Sequence, residues 1–101
     1  MTLKKVAPIE IADPFARKLV GRYIENREGD IGKLRRALRR DDFETIRVTG
    51  HNLYGSGSAY GLDEISRMGA NLEKAADRRD GAGVTRLIDE LAGYLLTLEV
   101  I

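Results

Sequence analysis

Asp42-Phe43-Glu44-Thr45-Ile46-Arg47-Val48-Thr49-Gly50-His51-Asn52-Leu53-Tyr54-Gly55-Ser56-Gly57-Ser58-Ala59-Tyr60-Gly61 is the stretch whose reading decides the fold. Phe43, Ile46, Gly50, Leu53, Gly57 and Tyr60 recur at alternating steps of three and four, the spacing of a helix face packed on neighbours. Asp41-Asp42 supplies a start and Gly61 a stop, so a helix is expected from about Phe43 to Tyr60. At about 100° per residue, His51 falls roughly 130° from the centre of that apolar stripe, exposed to solvent, with Arg47 and Ser58 on its flank. Gly55 falls almost opposite the stripe. Three glycines inside one helix cost about 2 to 3 kcal/mol against alanine, so each needs a reason in the folded or bound state. Gly50 and Gly57 face inward, where they let neighbouring helices approach. Gly55 faces outward one turn after His51, where the missing side chain clears a path to the imidazole.

Outward from this helix the apolar spacing stays helical, with no alternation to suggest a sheet. Before it, Asp13-Pro14 is an N-cap followed by the proline favoured at the first helical position. The helix it opens carries Phe15, Leu19, Tyr23, Ile24, Ile31, Leu34 and Leu38 and runs to about Arg40, with Gly29 and Gly32 as a weak point where a kink or break is expected if anywhere. After it, Asp63 is expected to cap a third helix carrying Ile65, Met68, Leu72, Ala75 and Ala76. An Asp80-Gly81-Ala82-Gly83 turn then leads to a fourth helix with Val84, Leu87, Ile88, Leu91, Tyr94, Leu95 and Leu98. The expected architecture is all-α: an antiparallel up-down four-helix bundle over residues 13–98, preceded by an irregular or briefly helical lead-in over 1–12, all in one domain, 1–101.

Composition removes most chemistries. The chain has 101 residues, 43% hydrophobic and 33% charged, with a net charge of +1, which suits one core under a mixed-charge surface and argues against nucleic acid as the main ligand. Nothing approaches the roughly 18 apolar residues of a membrane span, and the start lacks a secretion signal, so a cytoplasmic protein is expected. With no cysteine and one histidine, thiol chemistry, disulfides and multi-histidine zinc sites are excluded. The carboxylates are dispersed and suggest no metal cage. Gly55 to Gly61 has the composition of a phosphate-cradling loop, but no strand precedes it and no Gly-Lys-Ser or Gly-Lys-Thr follows, so no nucleotide site is expected. Ser56 and Ser58 lack the strained turn and oxyanion hole of a hydrolase. What remains is an exposed imidazole. A free imidazole is largely neutral at cellular pH, with one nitrogen able to attack phosphorus while the other carries the proton.

The run His51-Asn52-Leu53-Tyr54-Gly55-Ser56 resembles the His-x-Leu-Lys-Gly-Ser motif of the histidine phosphotransfer (HPt) domains of two-component phosphorelays, and Asp42-Phe43 and Leu72-Glu73 extend the likeness. The resemblance implies that His51 is the phosphoacceptor, taking a phosphoryl group from a receiver-domain aspartyl phosphate and passing it to another receiver. It implies that Glu73, from the adjacent helix, fixes the Nδ1 proton and leaves Nε2 as the nucleophile. It implies no cofactor in this chain, Mg²⁺ being held by the receiver partner, and no enzyme in its own right. Partners would be response-regulator receiver domains, with a hybrid sensor kinase as a further candidate, docking on a monomer around Tyr54, Gly55 and Ser58. The departure is Tyr54, where the family usually has lysine. Arg47 could replace that charge, although a pair with Glu44 is its simpler use. If Tyr54 impairs transfer, the alternative is a module that binds receivers or kinases without phosphorylation. The basic run Lys33, Arg35, Arg36, Arg39 and Arg40 reads most simply as a solvated helix end.

Overall fold

The computed structural model describes residues 7–9 and 11–100. Its elements are β1 (Ala7–Ile9), α1 (Pro14–Arg39), α2 (Phe43–Gly57), a short 3₁₀ turn (Ser58–Tyr60), α3 (Asp63–Asp77), α4 (Gly81–Leu96) and β2 (Leu98–Val100). Consecutive helices pack on one another and α4 returns to α1, which closes an all-α four-helix bundle. Leu34 and Ala37 of α1, Ile46 and Leu53 of α2, Ile65, Met68 and Leu72 of α3, and Val84, Ile88 and Leu91 of α4 meet in a core closed to solvent.

The connections are short because each helix end prepares the next start. After α1, Asp41 takes a left-handed conformation (φ 54°), its amide donates to the Leu38 carbonyl, and the Asp42 amide donates to Ala37. This is the paired-bond helix stop known as the Schellman motif. Asp42 is at the same time the N-cap of α2, its carboxylate accepting from the Thr45 amide at 3.1 Å. Gly61 (φ 77°) and Leu62 repeat the arrangement between α2 and α3, and Arg79 (φ 53°) and Asp80 repeat it between α3 and α4. A chain that turns within three residues must send the following helix back along its predecessor.

Several expectations need correction. Asp63 does not cap α3. It is the first helical residue, and the capping position is Leu62, which offers no side-chain bond; Asp63 and Glu64 instead act on the positive helix end. Asp80-Gly81-Ala82-Gly83 is not a turn. Asp80 caps α4 by accepting from the Gly83 amide at 3.0 Å, and both glycines lie in the first helical turn. The fourth helix stops at Leu96, leaving Leu98 in β2. The lead-in contains a strand, since Ala7–Ile9 pairs in parallel with Leu98–Val100; the expectations for residues 1–6 and 10 lie outside the described residues. α1 passes Gly29 and Gly32 without a break, with Arg27 and Asp30 ion-paired across that turn at 2.8 Å. Phe15 and Leu19 are not core residues, and Phe15 is 70% exposed. At 26 residues α1 is about 39 Å long against about 23 Å for its neighbours, which cannot cover both its ends. No helix among the described residues is long and apolar enough to cross a membrane.

Candidate functional site

The site is built on the α2–α3 seam, and three glycines set its dimensions. A Cβ placed on Gly50 would lie 2.8 Å from the Glu73 amide nitrogen and the Gly69 carbonyl oxygen. One on Gly69 would lie 2.5 Å from the Tyr54 amide nitrogen, and one on Gly57 would lie 2.6 Å from the Ser66 amide nitrogen. Real side chains do not fit at such distances, so the two backbones are in contact along about two turns. This closeness brings Glu73 to His51. The imidazole Nδ1 stands 3.3 Å from Glu73 Oε1, with the histidine side chain 63% exposed and the glutamate mostly covered. The contact is compatible with the imidazole tautomer that carries its proton on Nδ1 and its lone pair on Nε2.

On the solvent side the surroundings are open. Nothing lies within 4 Å of a Cβ built on Gly55. Tyr54 is 55% exposed, its ring centroid 6.5 Å from the imidazole and tilted by 46°, beside the histidine without stacking on it. Arg47 is engaged with Glu44 through two contacts, Nη2 to Oε1 at 2.6 Å and Nε to Oε2 at 3.1 Å. That pairing holds the Glu44 carboxyl below its ordinary range and raises the guanidinium further. Ser58 is exposed at the end of α2, but its amide and hydroxyl both donate to Ser66 Oγ, at 2.8 and 3.1 Å. The structure therefore brings together His51, Glu73 and Tyr54, leaves Gly55 clear beside them, and ties Arg47 and Ser58 to other partners. Among the described residues there is no cluster of three or more potential metal-ligating side chains.

Two supports of the site lie outside the residues singled out from sequence. Gly69 is one, half of the glycine contact that sets the seam; a glycine amid the apolar positions of a helix was its only signal. The other fastens α1 to α2. The Tyr23 hydroxyl and Ser56 Oγ are 2.7 Å apart, while the Tyr60 ring stacks on Tyr23 at 4.1 Å and 16°, and the Arg27 guanidinium sits 4.6 Å from the same ring. Tyr60 is thus 39% exposed and not the core residue its place on the stripe suggested. The stripe could not reveal this, because the 3₁₀ turn rotates residues 58–60 off the α-helical wheel.

The arrangement is thus an exposed histidine at mid-helix beside a carboxylate from the next helix, within a four-helix bundle. The family model described as "Hpt domain" matches residues 18–99, and the chain belongs to that family, whose members act in phosphotransfer within phosphorelays. It is also similar to multistep phosphorelay regulator 1 of Schizosaccharomyces pombe, with 29% identity over 76 residues, 75% of this chain and 26% of that protein. The chain thus spans about a quarter of that curated relative. No solved structure gives a significant match.

Proposed function

We propose that His51 accepts a phosphoryl group from the aspartyl phosphate of a receiver domain and donates it to another receiver. The observation that carries this is the pairing of an exposed imidazole with Glu73 through Nδ1. In the forward step the Nε2 lone pair attacks phosphorus, the bond between phosphorus and the aspartyl oxygen breaks, and the carboxylate leaves with its electron pair. The ring keeps its Nδ1 proton and becomes positive as the Nε2–P bond forms. Glu73 faces that developing charge, so the contact strengthens as the reaction proceeds. The reverse sequence delivers the group to the second receiver. Mg²⁺ is expected on the receiver, and this chain contributes no nucleotide chemistry of its own. Docking falls over the solvent face of α2, where Gly55 lets a partner backbone approach and Tyr54 offers a flat apolar contact. We further place the domain in the cytoplasm, as a monomer.

Arg47 enters this scheme as a charge that must leave Glu44 to reach the phosphoryl group, and Tyr54 supplies a hydroxyl where a lysine would supply a cation. Transfer is accordingly expected to be slow and to speed up in Tyr54→Lys. The test uses a panel of phosphorylated receivers with Mg²⁺, together with the small donor phosphoramidate. Acid-labile, base-stable label should appear on the wild type and be absent from His51→Gln. Glu73→Ala should keep its fold and label about tenfold more slowly, the usual scale for loss of a group that orients a reactive imidazole. No label from any donor would sink the proposal, and receiver binding without label would identify a phosphorylation-independent module instead.

A further inference from the structure

On the side of α3 turned away from His51, a cleft of about 230 Å³ lies between α3 and the start of α4. Asn71 and Lys74 line it from α3, Gly83 and Arg86 from α4, and Arg78 and Asp80 from the connection between them. Lys74, in the last turn of α3, and Arg78, its C-cap, are like charges four residues apart. The carbonyl end of the helix favours cations there. Yet among the described residues Lys74, Arg78 and Arg86 make no ion pair, whereas Arg27, Arg35, Arg47 and Arg67 each hold a carboxylate within 3 Å. The one acid of the cleft, Asp80, is turned into the first turn of α4, where its carboxylate accepts from the Gly83 amide at 3.0 Å. Glu90, one turn beyond Arg86, is taken by Arg67 at 3.0 Å.

We propose that this cleft binds a small free anion with two linked phosphoryl groups, inorganic pyrophosphate being the simplest. A cleft in which three cations outnumber one carboxylate keeps a positive field, and guanidinium forks match phosphate oxygens with paired hydrogen bonds. Three cations against one carboxylate leave more positive charge than a monoanion answers. The volume sets the other limit, since pockets for drug-sized ligands start at roughly 300 Å³, so a whole nucleotide is too large. The site is separate from His51 and does not depend on phosphotransfer.

The full-length, isotope-labelled chain titrated with pyrophosphate at physiological salt should show saturable amide shifts centred on residues 71–86 and none at His51. Arg86→Gln and Lys74→Gln, each confirmed folded by circular dichroism, should weaken binding about tenfold, the effect of losing one charge-assisted hydrogen bond. Arg22→Gln, on exposed α1 surface, should leave it unchanged. Equal shifts with sulfate, equal weakening by Arg22→Gln, or no saturation would overturn the proposal. Tighter binding of an oligoglutamate peptide than of pyrophosphate would overturn it too, by making the cleft a docking surface for acidic protein.

Discussion

The two faces of α2 use the same residue for opposite ends. Toward α3, Gly50 and Gly57 are glycine because the facing backbone occupies the space a side chain would need; toward solvent, Gly55 is glycine with nothing within 4 Å. The inward glycines are explained by the fold alone, and removing them should damage stability first. The outward one meets no neighbour and costs the helix about 1 kcal/mol relative to alanine. Gly21, Gly29 and Gly93 are helical glycines in equally open space, and what distinguishes Gly55 is its place one turn after His51. An unexplained helix glycine beside an exposed histidine is therefore a more specific functional signal than the histidine by itself.

The sharpest way to break this contrast is at Gly69, the partner of the inward pair. A Cβ there meets the Tyr54 nitrogen, the Gly50 oxygen and Leu53 Cβ between 2.5 and 2.7 Å, two of them backbone atoms that cannot rotate away. Gly69→Val should cost about 3 kcal/mol or more in urea unfolding, the upper range for overpacking. Since the seam also sets the reach of Glu73, whatever folds should lose the Nδ1 contact and label slowly. A variant as stable as the wild type would show that the helices are not locked at this contact.

Gly50→Ala comes next, and two effects oppose each other. Overpacking against the Glu73 nitrogen and Gly69 oxygen, both at 2.8 Å, costs about 2 kcal/mol, while the better helix former returns about 1. A net loss of about 1 kcal/mol is expected. At Gly55 the opposing term is missing. Gly55→Ala should stabilise the protein by about 0.5 to 1 kcal/mol, and Gly55→Leu should fold equally well yet slow labelling by a phosphorylated receiver without affecting labelling by phosphoramidate. If both donors slow together, Gly55 acts on the histidine itself and not on access.

How much of this was legible in the sequence follows from how local each signal is. Asp13-Pro14, Asp42-Phe43 and Gly61 act through bonds to residues two to five positions away; both starts lie where the pattern put them, and Gly61 stops the chain as expected, although α2 itself ends at Gly57 and residues 58–60 form a 3₁₀ turn. The inward direction of Gly50 and Gly57 followed from helical geometry alone. Long-range facts were not available in the same way. That Gly69 is the counterpart of Gly50, that Tyr60 stacks on Tyr23, and that Ser56 meets the Tyr23 hydroxyl depend on the register between helices, which no single helix encodes. The misplaced start of α4 has a different cause. Gly81 and Gly83 read as a turn because glycine disfavours helix, but the Asp80 cap outweighs that preference, and Arg79 takes the left-handed position that glycine usually fills.

The smallest expected effect concerns the first turn of α2, on which both faces depend. The Asp42 carboxylate accepts from the Thr45 hydroxyl at 2.6 Å and from the Thr45 amide at 3.1 Å, and these two bonds hold its pKa below the ordinary aspartate value. A group that is more acidic folded than unfolded adds stability that is complete above the unfolded pKa and is lost as pH falls through the folded one. Asp42→Ala should therefore lower the urea midpoint slightly at neutral pH, and the gap to the wild type should begin to close as pH falls below about 4, the ordinary aspartate value, and finish closing only below the lower folded one. In Asp42→Asn the amide oxygen still accepts from the Thr45 nitrogen without titrating, so its difference from Asp42→Ala should not depend on pH over that range. A gap between wild type and Asp42→Ala that persisted unchanged into acid would mean that the cap holds α2 without its charge. The dipole at the start of the helix carrying both His51 and the seam would then contribute nothing measurable there.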